Sequence, residues 1–171
     1  MDDIRNILKR FSETINTRCN NNVTEPASIF VCYSHRDSLW RDKIENYFKE
    51  NQPSLSIQYF DDTRIQAGTA WSLEIKKKID TTSIAILLVS DNYFKSRYII
   101  KTELPYIREL YERHKLDRIL PIWIGGALPE RHWLAHLQFL TAQKGPLENA
   151  DEIEFKSVMK SLIGNLSEAS S

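Results

Sequence analysis

The sequence predicts an α/β fold of the flavodoxin-like type, a doubly wound parallel sheet in a single domain with an N-terminal helical extension. Short apolar runs rich in branched side chains alternate with amphipathic helical stretches from residue 29 onward, and that alternation requires parallel strands joined by right-handed crossovers. The run IAILLV at 84–89 is unbroken apolar, which suits a strand covered on both faces better than a half-wet one. Turn-forming residues close the apolar runs, and ligands of such sheets bind beyond the carboxyl ends of the strands, where the strand order reverses.

Residues 2–17 place Ile4, Leu8, Phe11 and Ile15 on one helical face, with acids first and Lys9, Arg10 and Arg18 later, as the helix dipole prefers. This amphipathic helix either packs on its own domain or docks a partner or a second copy. The polar stretch CNNNVTEPAS reads as a linker, so residues 1–26 form an appendage and 27–171 the domain proper. The first strand covers 29–33, and SHRD is its loop, with Asp37 in place to cap the next helix. That helix lines Trp40, Ile44, Tyr47 and Phe48 on one face up to Asn51. Leu55, Ile57 and Tyr59 alternate with polar residues, as a strand near a sheet edge does. The polar loop DDTRIQAG at 61–68 leads to Thr69 as a helix cap, with Trp71, Ile75 and Ile79 facing inward. After the central strand 84–89, Ser90, Asp91 and Asn92 turn the chain into a helical pattern through Tyr98, Ile99, Leu104, Ile107 and Tyr111. A fourth strand at 119–124 closes on Gly125 and Gly126, and the tryptophan-bearing segment 128–140 has no clear period. Phe155, Val158, Met159, Leu162 and Ile163 give a last helix, expected to end near Gly164.

The chain has 171 residues, of which 42% are hydrophobic, enough for one soluble domain with its own core. Lys and Arg number 23 against 23 Asp and Glu. With no basic excess to displace counterions, a protein built to grip the nucleic-acid backbone is excluded. Cys19 and Cys32 are too few for a disulfide framework, and Cys32 falls in a buried strand, which points to a reducing compartment. The N-terminus lacks an apolar signal core and the longest apolar run is too short to cross a bilayer, so a cytoplasmic protein without membrane contact is expected.

One carboxylate stands in an unusual setting. Pro105 interrupts the helix after the central strand, because it cannot donate to the carbonyl of Lys101 and its ring clashes there. The helix must kink or restart with Pro105 in its first turn, leaving Glu103 beside the break. After a restart, unsatisfied N–H groups and the positive dipole end would favour an ionised Glu103. Locally, Glu103 still reads as one more solvated helix glutamate. The topology raises it, since the loops starting at Tyr33, Asp61 and Ser90 converge on the same sheet edge.

Several chemistries are missing. With five glycines, at 68, 125, 126, 145 and 164, there is no G-x-G-x-x-G and no Walker loop, which excludes an ordinary NAD dehydrogenase or P-loop NTPase. No G-x-S-x-G elbow supports a serine hydrolase. His132 and His136 lie four apart without a third ligand at a recognisable spacing, so no metal is implied. Asp61 and Asp62 resemble the acidic pair of phospho-acceptor receivers but follow the second strand rather than the first. Trp71 and Trp123 read as core residues.

Three blocks together resemble the Toll/interleukin-1 receptor (TIR) domain family, in particular its bacterial members. IFVCYSHRD at 29–37 resembles the family's first box, and FDDTRIQAGTAWSLEI at 60–75 its second strand, self-association loop and tryptophan-opened helix. SIAILLVSDNYFKSRYIIKTELP at 83–105 resembles the third strand and the helix carrying the catalytic glutamate, with the E-L-P variant of bacterial members. ILPIWI, LQFL and GPL fit the closing half, and the likeness runs over roughly 27–166.

The resemblance implies hydrolysis of NAD+ at the nicotinamide–ribose bond, or its cyclisation, in bacterial antiphage immunity, with NAD+ as substrate and no cofactor. Glu103 matches the catalytic glutamate. Tyr33, Ser34 and His35 match the loop bordering the nucleotide, and Asp61 an acid at the end of the second strand. Many members place an aromatic four residues before the glutamate; here that position is Ile99, and Tyr98 lies one residue further back. Arg64, Ile65, Gln66 and Gly68 fall in the loop expected to join copies into a homo-oligomer, and the N-terminal helix is where an activating partner would dock. Two other readings stand beside the enzyme: a non-catalytic TIR scaffold for homotypic signalling, and a deoxyribosyltransferase-like use of the same glutamate.

Overall fold

The computed structural model describes residues 29–52, 57–59, 77, 79–128, 132–141 and 145–168. Strands β1 (Ile29–Cys32), β2 (Ile57–Tyr59), β3 (Ile84–Val89) and β4 (Arg118–Trp123) form a sheet in the order β2-β1-β3-β4. All three pairings are parallel, with Ile29 opposite both Ile57 and Ile84, and Ile84 opposite Arg118. The chain passes from β1 to β2 on one side and then crosses to β3 on the other. The strand order therefore reverses between β1 and β3, as a flavodoxin-like winding requires.

Four helices among the described residues concern the site: α1 (Ser38–Asn51), α2 (Asp91–Lys95), α3 (Leu104–Glu112) and α4 (Glu152–Glu168). On one face of the sheet, Ile29, Val31, Ile84, Ile86 and Leu88 pack with Ile44 and Phe48 of α1 and Phe155, Met159 and Leu162 of α4. On the other, Phe30, Cys32, Ala85, Leu87 and Val89 pack with Tyr93, Leu104, Ile107 and Leu110. All six β3 side chains are 0% exposed, as an apolar run without alternation predicts. Truncating one of its leucines to alanine would cost about 2–5 kcal/mol.

The structure shifts several expected boundaries. β1 ends at Cys32 rather than residue 33, and β4 spans Arg118–Trp123 rather than 119–124. The last helix passes straight through Gly164, because Leu166 beyond it is 2% exposed and anchors the final turn. That burial outweighs the roughly 1 kcal/mol a mid-helix glycine costs. Segment 128–140, which had no period, contains a short turn at Trp133–His136. Beyond it the chain runs beside β4, with Leu140 N–H donating to Pro121 O at 3.1 Å and Trp123 N–H to Thr141 Oγ1 at 3.0 Å. No helix among the described residues is long and apolar enough to cross a membrane. The N-terminal helix, the boundary at residue 26 and the helix opened by Thr69 up to Ile75 lie outside the described residues.

Candidate functional site

Pro105 shapes the segment before it. Ile99–Glu103 forms a π-helical turn that leads into α3, with Leu104 N–H bonded to Ile99 O, five residues back, and Pro105 in the first turn of α3. Widening the helix there removes the clash between the proline ring and the carbonyl four residues earlier. The result is a restart without a gap. Glu103 stands at the N-cap position of α3 but makes no side-chain cap bond, so the expected capture of its carboxylate by α3 N–H groups does not occur.

Instead, the turn carries Glu103 under the sheet edge, where it is 4% exposed. The thiol of Cys32, the last residue of β1, donates to Glu103 Oε2 at 3.0 Å. Tyr93, 0% exposed and just beyond β3, has its hydroxyl 3.6 Å from Cys32 Sγ. A thiol has one hydrogen; with that committed to the carboxylate, the tyrosine hydroxyl is the donor to sulfur. Burial, then the charge of Glu103 and the hydrogen bond to it, push the Cys32 thiol well above its ordinary range. Burial and the neighbouring Cys32 hold the Tyr93 hydroxyl up as well. The Tyr98 hydroxyl is also raised, by burial first and the charge of Glu103 second. The described neighbours of the Glu103 carboxylate thus keep their protons. Glu103 is no solvated surface glutamate; it lies at the carboxyl ends of β1 and β3, where the strand order reverses.

A second device ties the same two strand ends together. Asp37 occupies the N-cap position of α1 yet makes no cap bond, contrary to the expectation from sequence. Its carboxylate reaches across to accept Ser90 Oγ–H at 2.6 Å and Asn92 Nδ2–H at 2.8 Å. Ser90 Oγ in turn accepts Tyr93 N–H at 3.0 Å, so the loop after β1 and the start of α2 are held by one buried network. Next to it, a cavity of about 240 Å³ is lined by Asp37, Trp40, Ser90, Asn92, Gly126 and Glu148. Among the described residues, no group of three His, Cys, Asp or Glu side chains is arranged to hold a metal ion.

The remaining expected site residues divide. Tyr98 packs at the edge of the core that holds Cys32 and Tyr93, and Ile99, 3% exposed, is part of that core. Ser34 is 3% exposed and its Oγ accepts Arg36 N–H at 3.4 Å, while His35 is exposed. The Tyr33 ring belongs to the opposite face of the sheet, with the Arg41 guanidinium 5.5 Å from its centroid, so its side chain is not brought to Glu103. Asp61 and the loop residues Arg64, Ile65, Gln66 and Gly68 lie outside the described residues. Sequence reasoning did not identify Cys32 and Tyr93 as partners of Glu103. Strand alternation held the signal, since Cys32 shares a face with Phe30 and so points toward the helix that follows β3.

Residues 29–158 match the family model described as the TIR domain. The chain belongs to the TIR domain family. A TIR domain of the Toll-related receptor TRR-2 of Hydra magnipapillata superposes with a TM-score of 0.57 at 18% identity, covering 81% of this chain and 97% of that one. The RPS4 and RRS1 TIR domain heterodimer gives 0.52 at 12% identity, covering 85% of this chain and 98% of that chain. At such identities the likeness is one of fold. The uncharacterised protein y4lF of Sinorhizobium fredii is 33% identical over 87 residues, which are 51% of this TIR chain and 26% of that relative. The chain thus spans about a quarter of the relative's length.

Proposed function

We propose that this TIR domain cleaves the bond between nicotinamide and ribose in NAD+, with Glu103 as the catalytic carboxylate. One observation carries the reading: a carboxylate 4% exposed, at the reversal point of the sheet, whose described neighbours stay protonated. Nicotinamide leaves as a neutral base, taking the electron pair of the breaking bond onto its ring nitrogen, so the reaction needs no general acid at the leaving group. Positive charge then builds on the ribose, and an anion held beside it stabilises that state. At about 4 Å, two unit charges attract by about 4 kcal/mol at an effective dielectric of 20 against about 1 in water. Water then adds to the ribose carbon and releases a proton, giving ADP-ribose; attack by the adenine ring in its place gives a cyclic isomer.

Excluding water matters to this chemistry, and we assign the cover to the polar segment 61–68 of a second copy, which carries Ile65 among polar residues. Activity therefore depends on self-association, with an activating partner acting through the N-terminal helix and the setting a cytoplasmic defence against phage. The test follows NAD+ loss across protein concentration, with Glu103→Ala alongside. A rate that rises faster than linearly and vanishes in Glu103→Ala supports the reading. No NAD+ loss at any concentration overturns it and leaves a scaffold for homotypic signalling.

A further inference from the structure

We infer that Cys32 is a positioning residue for Glu103, its thiol serving as the fixed donor that sets the direction of the carboxylate. Cys32 is locked from behind, because its backbone lies in the β1 ladder opposite Leu87 and its side chain is 1% exposed. The thiol therefore has little freedom, and it spends its single hydrogen on Glu103 Oε2 at 3.0 Å. Tyr93 closes the other side of the sulfur at 3.6 Å, and its own backbone is pinned by Ser90, which Asp37 holds in turn. The carboxylate is thus referenced to the loop after β1 and the start of α2 through a continuous chain of contacts.

A thiol suits the task better than a stronger donor. An N–H or O–H aimed at the same oxygen would form a stronger charge-assisted bond and draw down the negative charge that a ribose cation must meet. Sulfur donates weakly, so it fixes direction while leaving the charge largely intact. The same surroundings exclude Cys32 as a nucleophile, since burial and the adjacent anion keep it in its unreactive thiol form.

The inference rests on the proposed function only for its kinetic arm. In a Cys19→Ser background Cys32 is the sole thiol of a chain with 2 cysteines, and its S–H stretching band is readable by infrared spectroscopy. The band should lie below that of a thiol with no acceptor, and Glu103→Gln, which removes the charge at constant shape, should move it up. Tyr93→Phe should shift it by a smaller amount. A band unmoved by Glu103→Gln overturns the inference whether or not the protein consumes NAD+. In the kinetic arm, Cys32→Ala should lower kcat roughly tenfold with KM unchanged, about the factor that one such bond is worth, and Cys32→Ser, which restores direction but with a stronger O–H donor that draws down the charge, should recover only part of it. Wild-type kcat in Cys32→Ala overturns the positioning role even if the band moves. If the wild type consumes no NAD+, the proposed activity falls, and the infrared result alone decides what Cys32 does to Glu103.

Discussion

Replacing Asp37 by alanine removes its two hydrogen bonds from the loop after β1 to Ser90 and Asn92 at the start of α2, and the cost can be worked from the geometry. Asp37 is 7% exposed and Ser90 6%, so the 2.6 Å bond between them is a buried hydrogen bond to a carboxylate. Such a bond is worth roughly 1.5–3 kcal/mol. The Asn92 bond at 2.8 Å is only part-buried, and water replaces much of it, leaving about 0.5 kcal/mol. Ser90 keeps its bond from Tyr93 N–H, so the start of α2 stays capped and no further loss follows. The total is about 2–3.5 kcal/mol, or roughly 4–14 °C in Tm for a chain of this size. Urea unfolding of wild type and Asp37→Ala with unchanged slope measures it. Combining Asp37→Ala with Ser90→Ala in a double-mutant cycle should return a coupling of about 1 kcal/mol or more. A loss below about 0.5 kcal/mol would refute the reasoning, since it is the size expected for an exposed pair such as Arg108–Glu112.

Other expectations follow from single positions. Gly126→Ala should destabilise by about 1–3 kcal/mol, because φ is +73° and a new Cβ would strike the Asp91 side chain and its backbone N, 3.0 Å away. Gly125→Ala should cost less, since the neighbour it meets is the far end of the exposed Glu148 side chain, which can swing away; chemical denaturation of the two variants ranks them. Gly164→Ala, within α4 and facing open space, should stabilise by about 0.5–1 kcal/mol, raising the denaturation midpoint. His132 Nδ1 accepts Leu134 N–H at 3.3 Å, and burial followed by the nearby Arg108 charge lowers its pKa below the ordinary 6.5. The unfolded chain then binds the proton more readily, so the stability this group contributes is present above pH 6.5 and drains as the pH falls below it. His132→Asn, which keeps an acceptor at the cap, should lack that component in unfolding curves taken from pH 7.5 to 5.

Much of the fold was legible because it rests on local pattern. The unbroken run from Ile84 to Val89 announced a strand buried on both faces, and the alternation at Ile57 and Tyr59 announced an edge; β3 is internal and β2 terminal among the described strands. Boundaries were less legible where long-range packing decides them. Gly164 signals a helix end, yet Leu166 finds a place in the core and carries α4 on. Asp37 carries a cap signal, yet Ser90 and Asn92, distant in sequence, offer its carboxylate better-matched donors. At the site, Pro105 marked Glu103 through a clash written in the sequence, and the π-helical turn is how the chain resolves it. What the sequence did not reveal is the company Glu103 keeps. The contact with Cys32 spans 71 residues and exists only once β1 and the helix after β3 are packed on one face of the sheet.

Cleavage by this route requires an ionised Glu103 to meet positive charge on ribose, and the most direct measurement is chromatography of NAD+ incubated with wild type and Glu103→Gln at a crowded, assembly-promoting concentration. Circular dichroism and unfolding curves on the same samples establish that both are equally folded. The wild type should give nicotinamide together with ADP-ribose or its cyclic isomer, and Glu103→Gln should lose roughly 100- to 1000-fold, the scale set by removing one preorganised electrostatic stabiliser. Equal product from the two proteins, or none from a wild type that has assembled, would contradict this mechanism.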